Sequence, residues 1–170
     1  MDTSLRLANE SDVDAISEIY NHYVLSSTCT FHLDPETRDD RLAWFRAHDD
    51  RHPVTVYCDD GTVVAWASLT QWHPRPAYSG TAEISVYIDH RWHRRGIGRK
   101  LVMDLIQRAK ALGFHVLIGG VCTEQQASMA LHHSLGFVEV ARFTEVGRKF
   151  DRWLDVAYFQ LTLGKDDSRS

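Results

Sequence analysis

The 170-residue chain predicts an α/β domain, and three observations carry that class. Segments whose apolar residues alternate one by one are interleaved with segments whose apolar residues recur every three or four positions. Two of the helical segments stop at a glycine, Gly113 and Gly136, where a left-handed residue closes a helix at no steric cost. No linker, repeat or low-complexity block divides a length that ordinarily folds as one domain. The predicted order is strand, two helices, three strands, helix, strand, helix and two strands. That is too thoroughly mixed for a helix bundle or a sandwich.

Leu5 and Leu7 alternate with polar neighbours and give the first strand. Ser11 is placed to cap a helix from about Asp12 to Val24, with Val13, Ile16, Ile19, Tyr20 and Tyr23 on its apolar side. The stretch from Ser26 to Thr37 reads as a loop with room for a short strand. Thr37 and Asp40 repeat the cap-then-acid signature, and Leu42, Trp44 and Phe45 give the second helix its apolar side. Pro53–Cys58 and Thr62–Thr70, joined at Asp60-Gly61, form a hairpin. A turn-rich loop, Gln71 to Gly80, leads into a strand from Thr81 to Ile88. Leu101, Leu105, Ala109 and Leu112 share one face of the third helix. A strand through Cys122, a short helix over Gln126–Leu135 and two strands, Phe137–Val146 and Trp153–Leu163, complete the domain. The core spans about residues 5–163, and 164–170 form a polar tail.

Nineteen basic and 23 acidic residues leave a formal charge of −4, which gives no support to a nucleic-acid partner or a polybasic membrane anchor. No apolar run approaches the ~20 residues of a membrane span, and the acidic N-terminus is unlike a secretion signal. Cys29, Cys58 and Cys122 are odd in number and widely spaced, which fits a reducing, cytoplasmic compartment rather than a disulfide framework. His90, His93, His132 and His133 lack a matching set of further ligands, so no metal site is expected.

The sharpest local feature is the loop His93-Arg94-Arg95-Gly96-Ile97-Gly98-Arg99-Lys100 between a strand and a helix. Arg91, Arg94, Arg95, Arg99 and Lys100 crowd five cations into ten residues of an acidic protein. Free amides at the helix start and two glycines complete a setting for a diphosphate; a basic, merely solvated loop is the alternative. The nucleoside-triphosphate loop spacing and the dinucleotide fingerprint are both absent. Arg95-Gly96-Ile97-Gly98 after Ser85–Ile88 resembles the acetyl-CoA loop of the GNAT N-acetyltransferases, with His93 where the family carries Gln or Arg. Pro76-Ala77-Tyr78, Thr81-x-Glu83-x-Ser85, Leu135-Gly136-Phe137 and the run from Glu145 to Asp155 resemble the phosphinothricin acetyltransferase subfamily over about Leu5–Leu163.

The resemblance implies a GNAT-type fold, a mixed sheet flanked by helices. It implies transfer of acetyl from acetyl-CoA to the amine of a small amino acid such as phosphinothricin or methionine sulfoximine or sulfone. Polyamines and peptide N-termini are less favoured acceptors, and a non-catalytic acyl-CoA-binding module is the alternative class. Close relatives are commonly homodimers. Glu83, a carboxylate in a strand of small and apolar residues, is either an exposed strand residue or the base that takes the proton of the amine, and the subfamily points to the base. Val86, Tyr87 and Ile88 would serve through their backbone, holding the pantetheine arm beside a split in the sheet. Arg94, Arg95, Gly96, Ile97, Gly98 and Arg99 would hold the diphosphate. Gln125 stands where relatives carry Asn, and is either a coenzyme contact or a helix-entry residue. His132 is either a coenzyme-side general acid or a structural hydrogen-bonding group. Arg75, with a guanidinium fork suited to a carboxylate or phosphinate, is either an acceptor contact or a surface arginine; the resemblance would also set Tyr78, Lys149 and Arg152 toward the acceptor, with a charged turn as the alternative for the last two. His73, Ser79 and Gln125 depart from the subfamily and leave the acceptor open.

Overall fold

In a computed structural model, residues 2–164 are described; all of the polar tail beyond Gly164 lies outside them. Seven strands form one sheet in the order β1-β2-β3-β4-β5-β7-β6. They are β1 (Thr3–Leu7), β2 (Val54–Asp59), β3 (Thr62–Gln71), β4 (Thr81–Ile88), β5 (Val116–Cys122), β6 (Val138–Lys149) and β7 (Arg152–Thr162). The helices are α1 (Val13–Ser26), α2 (Arg38–Arg46), α3 (Ile97–Ala111) and α4 (Gln126–Ser134). Every neighbouring pair is antiparallel except β4 and β5, which run parallel through the α3 crossover. The sheet is therefore mixed.

The sheet separates two apolar cores. On one face Leu101, Leu105 and Ala109 of α3 pack on Ala82, Ile84, Leu117 and Phe159. On the other, Ile16, Ile19, Tyr20 and Val24 of α1 pack on Val54, Val56 and Trp66, with Tyr87 at the edge. Alternation along β4 thus sends Ala82 and Ile84 toward α3, and Glu83 and Tyr87 toward α1.

Four local expectations change. Ser11 is not the cap: a one-turn 3-10 helix over Glu10–Asp12 precedes α1, so the first orphan amides lie further upstream. The Asn9 side chain accepts from the Ser11 amide at 2.9 Å, and Asp12 returns to the Asn9 amide. The loop between α1 and α2 holds no strand. Thr37 and Asp40 do form the expected reciprocal cap, but the residue α2 buries most completely is Arg41, not Leu42, Trp44 or Phe45. Its guanidinium pairs with Glu36 and lies 4.2 Å over the Tyr20 ring and 4.5 Å over Trp44. Finally, the charged run after Val146 is strand rather than loop. β6 continues to Lys149 and turns through Phe150 and Asp151, both left-handed at φ 51° and 57°, a two-residue hairpin made without glycine.

Candidate active site

Three residues hold β4 and β5 together: Thr81, Ala82 and Glu83 face Val116, Leu117 and Ile118. From Ile84 onward β4 stays paired only with β3, while β5 continues alongside β7 to Cys122. The sheet opens there into a wedge, and the free backbone edge of β4 between Ile84 and Ile88 borders it. Val86 and Ile88 lean their side chains on the α3-side core, and Tyr87 stacks on Trp66 at 4.9 Å. What these three residues offer the wedge is main chain.

The loop above the wedge is tied down on one side and open on the other. Asp89 accepts from the Arg91 amide and takes the Arg91 guanidinium at 2.6 Å. Tyr23 donates to the Ile88 carbonyl, and its hydroxyl lies 2.7 Å from His93 Nε2, so His93 anchors the loop to α1. Arg94 adopts a left-handed φ of 61° and Gly96 one of 74°. A Cβ at Gly96 would meet nothing, whereas one at Gly98 would stand 3.1 Å from Ile88 and 3.3 Å from Leu131. Gly96 therefore serves the turn, and Gly98 lets the start of α3 settle against β4 and α4. No side chain caps α3 and no acid lies in its first turn, so its positive end stays unneutralised. Arg95 sits 3.9 Å from Asp59 and Arg99 3.3 Å from Ser134, both at the surface. Uncapped amides, an open left-handed glycine and these guanidinium groups fit a diphosphate.

Glu83 is the last residue before the wedge opens. Burial pushes its carboxyl above the ordinary glutamate value, and no described group hydrogen-bonds to it to pull it back. Glu83 lies opposite Ile118, and Gly120, two residues on along the same face of β5, lies opposite Tyr158. Glu83, Gly120 and Tyr158 thus share the α1 side of the sheet. The Tyr158 ring lies against Gly120 and is held edge-on by Trp72 at 5.8 Å and Phe143 at 5.6 Å. Tyr158, Phe143 and Gly120 were not legible from the sequence. Their strands are, but only the register brings them beside Glu83.

The remaining candidates divide. Arg75 is exposed, with no side-chain partner among the described residues, and Tyr78 is exposed beside His73. Lys149 is buried, and its ammonium donates to the carbonyls of Ser27 at 2.6 Å, Thr30 at 2.8 Å and Tyr23 at 3.5 Å. Its three protons are spent on the loop after α1, so the acceptor-facing position expected for it is not where its charge lies. Arg152 is engaged with Glu124, which also accepts from Thr28. Gln125 donates to Thr28 at 2.9 Å and Ser27 at 3.3 Å, tying the same loop to the start of α4. His132 is 8% exposed. Its Nδ1 donates to the Ser128 carbonyl at 2.7 Å and its Nε2 faces the Cα of Gly119 so closely that any Cβ there would collide. Burial lowers its pKa and keeps the ring neutral. Nδ1 is thereby committed to the backbone of α4, while Nε2 has no hydrogen-bond partner among the described residues. Of the other histidines, His90 stacks on His22 and His133 packs on Phe159. Among the described residues no group of three metal-ligating side chains gathers.

Residues 16–137 match the profile of the Acetyltransferase (GNAT) family. The chain is 41% identical to the L-amino acid N-acyltransferase MnaT of Escherichia coli over 161 residues, 94% of each protein. It is 40% identical to the L-methionine sulfoximine/L-methionine sulfone acetyltransferase of Salmonella typhimurium, again over 94% of both. A phosphinothricin acetyltransferase of Sinorhizobium meliloti, solved in complex with acetyl-CoA, superposes with a TM-score of 0.91 at 31% identity, over 100% of this chain and 93% of that one.

Proposed function

The chain belongs to the acetyltransferase (GNAT) family, and from that premise we propose that it moves acetyl from acetyl-CoA to the α-amine of a small amino acid, with Glu83 as the base. The observation that carries this reading is the position of Glu83: a desolvated carboxylate without a partner, on the residue where β4 parts from β5. An alkyl ammonium must lose a proton before it attacks a thioester. A carboxylate whose pKa is raised takes that proton more readily than an ordinary one. The free amides of β4 near Val86 would steady the oxygen of the thioester carbonyl as the amine adds, without reorganising. Arg94 to Arg99 and the start of α3 would hold the diphosphate of the coenzyme, so that both substrates meet across the wedge. Arg75 and Tyr78 would receive the carboxylate end of the acceptor. No described cysteine stands beside a histidine–acid pair, which favours direct transfer over an acyl-enzyme.

The same reading includes a homodimer and a cytoplasmic setting. β6 is an edge strand whose outer surface exposes Val138, Val140, Phe143 and Val146, with Phe150 and Trp153 at its turn. An apolar edge of this length calls for cover, and a second copy supplies it. All three cysteines are free, and no described helix is long and apolar enough to cross a membrane.

Thiol release from acetyl-CoA, followed against methionine sulfone, methionine sulfoximine, phosphinothricin, spermidine and a short peptide, tests the reading. Acceptor-dependent release that collapses in Glu83→Gln supports it. Acetyl-CoA binding without release for any amine would leave the non-catalytic binding module in its place.

A further inference from the structure

The acceptor side of the wedge has an uneven supply of hydrogen-bond donors and cations. Tyr158 lies over Gly120, where a Cβ would come within 3.2 Å of its ring. Trp72 and Phe143 meet that ring edge-on from two elements, at interplanar angles of 75° and 81°, so its direction is fixed. Its hydroxyl bonds to no described residue. Burial, with a smaller contribution from the nearby carboxylate of Glu83, raises the phenol pKa and keeps the proton on it. The group is thus a neutral donor, already oriented and unspent. The cations near this face are committed elsewhere: Lys149 to three carbonyls and Arg152 to Glu124. Arg75 remains for one anion, the carboxylate of an amino acid.

We propose that Tyr158 is a specificity-determining residue whose phenol donates to an uncharged oxo group on the acceptor side chain, so that the site takes a sulfone or sulfoximine in preference to a thioether or an anionic phosphinate. Trp72 and Phe143 flank the carbon chain of such an acceptor, and Gly120 lets the Tyr158 ring lie close against β5 beside it. A phosphinate would bring a second negative charge toward Glu83, and like charges at close range are a strong ground for rejection. A thioether would leave the phenol unsatisfied. The proposal rests on the acetyl-transfer reading above.

The test is kcat/KM for L-methionine sulfone, L-methionine and L-phosphinothricin with the unaltered protein and with Tyr158→Phe, alongside acetyl-CoA affinity and thermal stability. The unaltered protein is expected to favour the sulfone over both others by about tenfold or more. Tyr158→Phe should lower the sulfone value roughly three- to tenfold and leave methionine within about twofold, with coenzyme binding and melting unchanged. An equal fall on sulfone and methionine overturns the oxo-reading role, and so does no fall on either. Phosphinothricin used as well as the sulfone overturns the preference for an uncharged group. Turnover of no amino acid by the unaltered protein would overturn the acetyl-transfer reading itself, and it is seen before any variant is made.

Discussion

Two charged side chains on the α1 face of the sheet, Lys149 buried and Glu83 half-buried, are treated in opposite ways. Lys149 is given three carbonyls, one for each proton of its ammonium. Glu83 is given none, and burial alone sets its pKa. The ammonium stitches the β6–β7 hairpin to the loop that follows α1. The carboxylate holds nothing together. A buried charge that serves the fold is saturated with partners, and the lack of partners at Glu83 is what supports the chemical role proposed for it.

Exchanging the two charges for neutral isosteres should separate these roles. Glu83→Gln is expected to lower kcat/KM by about 10²–10⁴-fold, as loss of a general base does. The same change should not lower the melting temperature near neutral pH. The folded pKa of Glu83 lies above its ordinary value, so its ionised form weighs against folding. That cost is absent below the unfolded pKa and grows as pH rises through the folded one. A clear loss of stability in Glu83→Gln would break the comparison. Lys149→Met should do the reverse. Stranding three carbonyls costs about 3 kcal/mol, or roughly 6–12 °C in Tm at this chain length, while acetyl-CoA affinity stays close to unchanged.

The pH dependence sharpens the contrast further. The acid limb of kcat/KM should lie above 4.5, the ordinary glutamate value, because the base works only when deprotonated and burial delays that. A limb at or below that value would show a solvated carboxylate and remove Glu83 from the role. The smallest expected effects come from two adjacent glycines. Gly119→Ala drives a methyl into His132, a side chain wedged between Phe137 and Phe159, and should cost about 1–3 kcal/mol. Gly120→Ala meets only the edge of Tyr158 at 3.2 Å and should cost less than about 1 kcal/mol. Its effect should appear as a raised KM for the acceptor. Equal melting losses for the two would contradict the assignment of one glycine to the core and the other to the acceptor side.

Much of this was legible in the sequence, for identifiable reasons. Periodicity and glycine stops place the strands and helices because they report local geometry. The Gly96–Gly98 loop is visible because its cations and small residues are contiguous. Glu83 stands out because a charge in an apolar strand is conspicuous. The places of Arg41 and Lys149 are not legible in the sequence, because only the fold shows the aromatic rings and carbonyls that receive these cations. Tyr158 is invisible because nothing local distinguishes it from its neighbours in β7. Its meaning comes from the β5–β7 register that sets it across from Gly120.

That pair of glycines makes β5 no thicker than bare backbone at one point. On one side the His132 ring rests against Gly119; on the other the Tyr158 ring rests against Gly120. The two aromatic rings are separated by little more than main chain, although they belong to opposite faces of the sheet. A substitution that shifts α4 and presses on His132 would move Gly120 and the Tyr158 ring, the proposed acceptor contact, without touching either. Selectivity in this enzyme can therefore be tuned from behind the sheet, and changes scattered on α4 are a place to look when two such proteins share every front-side residue yet choose different amines.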